Sequence, residues 1–309
     1  MNKVQDLVAN LNDLIRKELA FDSKLSEVLA DFPGKEKVET FIEEYEAVIA
    51  FLLLRMRNHF IDALHSFIAK DDSETLEAIL SYFQEHVSYE MFVEELAAES
   101  ERFLRMSVEE FSKVIMDSLD PEVPFQVLSN RSIKWIEEWS QELAELMNLS
   151  TQNSVEKILT TAINEGKGID YVERELMEHE SFSRQRARTT AITEVLTASS
   201  VAQQESYSQS PAVIGKRWKH SGTKGIDPRE NHMALDGTVV PVDEPFVIPG
   251  SEEVAMFPRD PNLSAKERVN CHCALGPAVD ESITGLSPEE KQAIRDEALA
   301  EMNSKGAWE

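Results

Sequence analysis

The chain has 309 residues, room for one large domain or two of ordinary size, and its 42% hydrophobic content excludes global disorder. Its net charge of −26 argues against a body that tracks phosphate backbones, since 38 acidic and 17 basic side chains fall within residues 1–180. No apolar run approaches the roughly 18 residues of a membrane span, the N-terminus lacks the apolar region of a secretory signal, and two cysteines one residue apart give no disulfide framework, which together predict folding in a reducing cytoplasm.

Residues 1–165 contain a single glycine, Gly34, and read as helices. Val4, Leu7, Val8, Leu11, Leu14 and Ile15 recur at three- and four-residue spacing. After a break at Asp31-Phe32-Pro33-Gly34, a long helix is predicted from about Lys37 to Ala69, with Phe41, Tyr45, Val48, Ile49, Leu52 and Leu53 inward. Asp71-Asp72-Ser73 offers an N-cap for a helix carrying Leu76, Ile79, Leu80 and Phe83. Further helices are predicted over 89–104, 107–119 and 124–148, the last bearing a core stripe of Trp135, Ile136 and Trp139. Two shorter helices, 151–165 and 168–180, flank Gly166-Lys167-Gly168, and a helix over 183–206 follows with Ala187, Ala191, Ile192, Val195, Leu196 and Ala198 on one side.

Eight of the twelve prolines lie between Pro211 and Pro277, and there the character changes. Val213-Ile214, Thr238-Val239-Val240 and Phe246-Val247-Ile248 are short β-like runs. Leu235-Asp236-Gly237 reads as a turn opening a strand, with Gly237 at positive φ. Ser287-Pro288-Glu289-Glu290 starts a last helix with a serine cap, proline at its first position and glutamate three residues on. The predicted class is mainly α, an N-terminal helical region with a small C-terminal α+β domain. The boundaries are 1–165 for the acidic helical part, 166–280 for helices leading into the β-containing unit, and 281–309 for the C-terminal helix.

Chemistry-bearing side chains gather in the second part. His232, Cys271 and Cys273 have the donor types that suit zinc, with a fourth ligand from His220, His272, Asp227 or water. The other reading is a polar network, in which His232 bonds a backbone carbonyl or Asp236 and the cysteines act as small buried hydrophobes. Asp227, Arg229, His232 and Asp236 could also form an acid–base group, and a metal-dependent hydrolase or nuclease centred on Asp227, His232, Cys271 and Cys273 is the alternative function. Arg188 and Glu194, on the helix leading into the β-containing unit, are placed to bond its loops. The basic residues Arg184, Arg186, Arg188, Lys216, Arg217 and Lys219 mark the segment where DNA would be met.

The sequence Arg188-Thr189-Thr190-Ala191-Ile192-Thr193-Glu194-Val195, then Trp218, then Asp227, Arg229, His232, Leu235, Asp236 and Gly237, then Phe246, Pro258, Asn270, Cys271 and Cys273 resembles the phage Mu F-like minor head proteins, also called head morphogenesis proteins. The shared pattern covers about residues 183–276. The family usually has arginine between the cysteines where this chain has His272, which removes a fixed positive charge and adds a possible ligand. In some relatives the His232 position is a cysteine, the exchange expected of a metal ligand. The resemblance implies a virion component with a structural rather than catalytic role. Such a protein binds the portal during procapsid assembly in the host cytoplasm and stays in the capsid, acting on DNA packaging or ejection. The implied partners are the portal, a scaffolding or major capsid protein, and packaged double-stranded DNA bound without sequence preference, with no membrane.

Overall fold

The computed structural model describes residues 25–68, 78–79, 81–83, 89–222 and 228–308. The periodic segment at Val4–Ile15, the Asp71-Asp72-Ser73 cap with Leu76 and Leu80, and Asp227 lie outside the described residues.

The protein is mainly α with a small α+β part toward the C-terminus. After a helical turn at Leu25–Val28 and a 3-10 turn at Lys35–Lys37 come α1 (Val38–Ile68), α2 (Tyr89–Leu119), α3 (Asn130–Glu165), α4 (Ile169–Glu178) and α5 (Arg184–Gln209). Then follow β1 (Val213–Lys219), α6 (Glu230–Leu235), β2 (Val239–Pro241), β3 (Phe246–Val247), β4 (Val254–Ala255), α7 (Ala265–Arg268), β5 (Ala274–Val279) and α8 (Pro288–Ser304).

Two pairs of predicted helices are continuous. Residues 89–104 and 107–119 are one helix, α2, because nothing between them breaks the backbone ladder. Residues 130–165 are likewise one helix, α3. The polar stretch Asn148–Thr151 does not end it: Thr151 Oγ1 donates to the Met147 carbonyl at 2.9 Å and Ser154 Oγ to the Ser150 carbonyl at 3.0 Å, so the side chains bond back along the helix instead of competing with it. α3 starts at Asn130 rather than 124, since Pro124 biases its neighbour away from the α region and Ser129 supplies the cap, its Oγ accepting from Ser132 N at 3.3 Å.

The chain forms two compact units. One comprises residues up to Ile42, Arg102–Glu138 and Ile192–Glu309; the other comprises Glu43–Glu101 and Trp139–Ala191.

The second unit is helical. Phe60 is its aromatic centre, with ring centroids of Phe83, Tyr89 and Phe182 at 5.5, 5.9 and 6.1 Å. Tyr45 OH donates to Ser100 Oγ at 2.6 Å, and Arg55 grips the Glu95 carboxylate with two bonds of 2.8 and 3.1 Å. Buried Arg186 donates to Thr151 Oγ1, the Ser181 carbonyl and the Met147 carbonyl at 2.8, 2.7 and 2.9 Å. Desolvation still pulls its pKa down to about 10.

The first unit holds the sheet. Its strand order is β2-β1-β5, antiparallel throughout, with Arg217 opposite Val239 and Trp218 opposite Leu275. The run at Val213-Ile214 continues as strand to Lys219. β5 carries Gly276 and Pro277, which argue against a strand, but it lies at the end of the order, where a missing N–H is tolerated. α5 was expected to be apolar on one side; instead it is buried on every face from Ile192 to Tyr207. Small residues make that possible, together with polar side chains several of which are tied by hydrogen bonds. Gln203 Oε1 accepts from Leu275 N at 2.7 Å, and Tyr207 OH donates to the Leu275 carbonyl at 3.3 Å. Glu205 accepts from Ser129 N, Ser129 Oγ, Ser132 Oγ and Gln209 Nε2 at 2.6, 2.8, 2.7 and 2.8 Å. α8 opens with the capping box read from Ser287 and Glu290. Near its end Trp308 Nε1 donates to Ser132 Oγ at 2.8 Å.

Candidate functional site

β1 and the turn after α6 build the first wall of the site. Gly237, at φ 79°, lets its N–H reach the Trp218 carbonyl at 2.9 Å, while Trp218 N donates to the Thr238 carbonyl at 2.9 Å. Asp236 Oδ1 accepts from His220 N at 2.8 Å, so Asp236 ties the end of β1 rather than bonding His232. Trp218 is fully buried and meets the His232 ring edge-on at 5.4 Å.

The second wall is the segment from α7 into β5. Arg229, just before α6, donates to the Lys266 and Val269 carbonyls at 2.6 and 2.5 Å and fastens α6 to this segment. Asn270 takes the left-handed conformation at φ 57°, which turns the chain so that Cys271 and Cys273 enter the interior. Arg259, itself at φ 67° and 1% exposed, donates to the Cys271 carbonyl at 2.6 Å, the Cys273 carbonyl at 2.8 Å and Ser200 Oγ at 2.5 Å.

Three predicted donors meet between these walls. Cys271 Sγ lies 3.5 Å and Cys273 Sγ 3.8 Å from His232 Nδ1, and all three donor atoms lie within 4.8 Å of one another. Their residues are 1, 4 and 2% exposed. His232 Nε2 lies 3.1 Å from Glu267 Oε2, outside hydrogen-bond angles, and that oxygen also accepts from Asn231 Nδ2 at 3.1 Å. The hydrogen bond from Cys273 holds the Cys271 thiol well below its usual range, helped by His232 and Arg259; the same bond and burial push Cys273 well above. His272 is not in the cluster. It is buried with both ring nitrogens unpartnered, and desolvation pulls its pKa down to about 4.

The remaining predicted residues divide. Glu194 Oε1 lies 3.7 Å from Arg268 Nη2, at the end of α7. Arg188 instead pairs with Glu46 at 2.8 Å, alongside Arg184 at 2.5 Å. Most of the basic residues proposed for phosphate have internal roles. Arg186 and Lys216 are buried, Arg184 and Arg188 share Glu46, and Lys219 Nζ donates to the Asp31 carbonyl; Arg217 is exposed. Arg259, Glu267 and Glu205 escaped the sequence reading. A lone arginine or glutamate carries no local signal of burial; only the flanking prolines, Pro258 and Pro261, mark Arg259 as part of a constrained turn.

This geometry coincides with a family match. Residues 153–276 match the family described as Phage Mu protein F like protein. The chain belongs to that family. Membership makes it a phage head-morphogenesis protein, a class associated with the virion, and no described helix is long and apolar enough to cross a membrane. The chain is 55% identical over 304 residues to the uncharacterized protein YqbB of Bacillus subtilis, covering 98% of this chain and 100% of that one. It is 30% identical over 197 residues to the NAD(+)--arginine ADP-ribosyltransferase EFV of Enterococcus faecalis, covering 63% of this chain and 36% of that protein. No solved structure matches the chain.

Proposed function

We propose that the chain is a minor head protein that docks on the portal during procapsid assembly, remains in the virion and influences DNA packaging or ejection. The observation that carries this reading is family membership, with a relative aligned along its whole length. The helical unit offers a surface for such docking. An open groove there is lined about equally by apolar or aromatic side chains, Leu52, Met56, Tyr89, Met91 and Phe92, and by polar or charged ones that include Arg55, Asp62 and Glu95. Phe51, Leu54 and Met91 are 57, 42 and 46% exposed in the same unit and add apolar surface there. Helix grooves of this composition receive amphipathic partner segments.

The burial of His232, Cys271 and Cys273 favours a structural over a hydrolytic site, because a catalytic metal keeps an open position for water or substrate. The transferase activity of the Enterococcus relative is not carried over, since this chain aligns to 36% of that protein. DNA contact is secondary in this reading: Arg186 and Lys216 are buried, and contact through the exposed basic residues would be sequence-independent and salt-sensitive. Scaffolding or major capsid protein would be met through the same helical surface.

Co-expression with the cognate portal protein tests the reading. The chain should co-elute with the portal ring on size exclusion, and Phe51→Glu with Met91→Glu should release it while leaving its helical circular dichroism intact. Separate elution of the wild-type chain and the ring would overturn it.

A further inference from the structure

We propose that His232, Cys271 and Cys273 bind one structural zinc ion, with His220 as the fourth ligand, and that this ion locks the loops of the sheet-bearing unit together. The spacing of the donors carries this. Zn–S bonds of about 2.3 Å and Zn–N bonds of about 2.0–2.1 Å at a tetrahedral angle put sulfur and nitrogen about 3.5 Å apart. The observed separations from His232 Nδ1 are 3.5 Å to Cys271 and 3.8 Å to Cys273.

The surroundings are those of a metal-bound histidine. With Nδ1 turned to the sulfurs, Nε2 sits 3.1 Å from the Glu267 carboxylate. A small turn of the ring would let Nε2–H donate to this carboxylate, the bond that fixes the tautomer and raises the basicity of a ligating imidazole. Glu267 is in turn held by Asn231 Nδ2, and the two cysteine carbonyls are pinned by one guanidinium, that of Arg259. Both thiols are free cysteines.

His220 lies outside the cluster of three donors and would turn its imidazole to complete the site; the sheet register points to it. Trp218 pairs with Leu275 and Lys219 with Ala274, so one further step sets His220 opposite Cys273. His220 Nδ1 already accepts from Gly222 N at 2.9 Å, which leaves Nε2 for a metal. A closed four-ligand, buried site contributes folding energy rather than chemistry. The inference stands apart from portal docking, since a protein that never meets a portal would still bind the ion.

The test uses the full chain expressed with zinc supplied and purified without chelator. Elemental analysis should give about one equivalent of zinc, and thiol-blocking mercurials should release it. Replacing zinc with cobalt(II) should give sulfur-to-cobalt charge-transfer absorption in the near ultraviolet and the visible bands of a tetrahedral site. Cys271→Ser and Cys273→Ser should each abolish the charge-transfer signal or leave an insoluble chain; the wild-type readings decide the matter in either case. Less than about a tenth of an equivalent of zinc, with no cobalt bands and no thermal stabilisation by added zinc, would overturn the proposal. So would a disulfide between Cys271 and Cys273 in the freshly purified protein. His220→Ala should weaken zinc retention against a chromogenic chelator at least tenfold; unchanged retention would remove His220 from the fourth position.

Discussion

Arg259 is the side chain on which the cysteine segment hangs, and its replacement by methionine gives a worked prediction. Its guanidinium donates three hydrogen bonds, two of them to the carbonyls of Cys271 and Cys273 and one to Ser200 Oγ. Arg259→Met keeps much of the buried volume but leaves both carbonyls unpaired in the interior. Each orphaned acceptor costs about 1–3 kcal/mol. Removing a guanidinium that is itself desolvated gives part of this back, as the downward pull on its pKa indicates. The net expected loss is about 2–4 kcal/mol. Arg259→Lys should fall between wild type and methionine, because one ammonium cannot serve three acceptors with the planar fork. Urea unfolding followed by tryptophan fluorescence is the assay, since Trp218 packs on His232 beside the segment. A shift equivalent to less than about 0.5 kcal/mol for Arg259→Met would refute the idea that this residue anchors the cysteines.

Gly215→Ala should destabilise the sheet, because a Cβ there would lie 2.9 Å from the rigid Val240 carbonyl, whereas Gly276→Ala meets only the pliant Lys219 side chain; thermal midpoints of the two variants should rank accordingly. Burial raises the pKa of Glu205, so the folded state prefers its protonated form. Its contribution to stability is therefore full below the unfolded carboxylate pKa and fades as pH rises through the raised folded value. Glu205→Gln should flatten that slope in denaturation curves taken across the range, whereas Glu205→Ala should cost stability at every pH by leaving four donors unpaired. Lys216 behaves in the opposite sense: desolvation lowers its pKa to about 7 from the usual 10.5. Between those values the unfolded chain binds more protons, so wild-type stability should rise with pH there, and Lys216→Met should remove that rise.

Much of the architecture was legible in the sequence, for reasons tied to particular residues. The single glycine before residue 166 and the three- and four-residue spacing along α1 specify helices. The capping box at Ser287 fixes the start of α8. Helix ends were harder. The predicted helices over 124–148 and 151–165 are joined, because the Thr151 and Ser154 hydroxyls bond to the preceding turn, an outcome that depends on burial rather than on local preference. β5 was hidden by Gly276 and Pro277, which only an edge position tolerates. α5 misled in a different way: its apolar residues mark one side, yet its polar faces are buried too, with partners from positions as distant as Ser129 and Leu275. At the site, His232, Cys271 and Cys273 stood out because their residue types are rare in this chain. Arg259 and Glu267 did not, since arginine and glutamate are common and their roles arise only from tertiary contact. The family match also reaches back to residue 153, into α3, beyond the start of the pattern at 183.

The central claim is that this protein enters the phage head by way of the portal. Quantitative mass spectrometry of purified procapsids, assembled with and without portal protein, measures that directly. The protein should be present in few copies per particle when the portal is there and missing when it is not. Its absence from portal-containing particles, or its equal incorporation without the portal, would contradict the account.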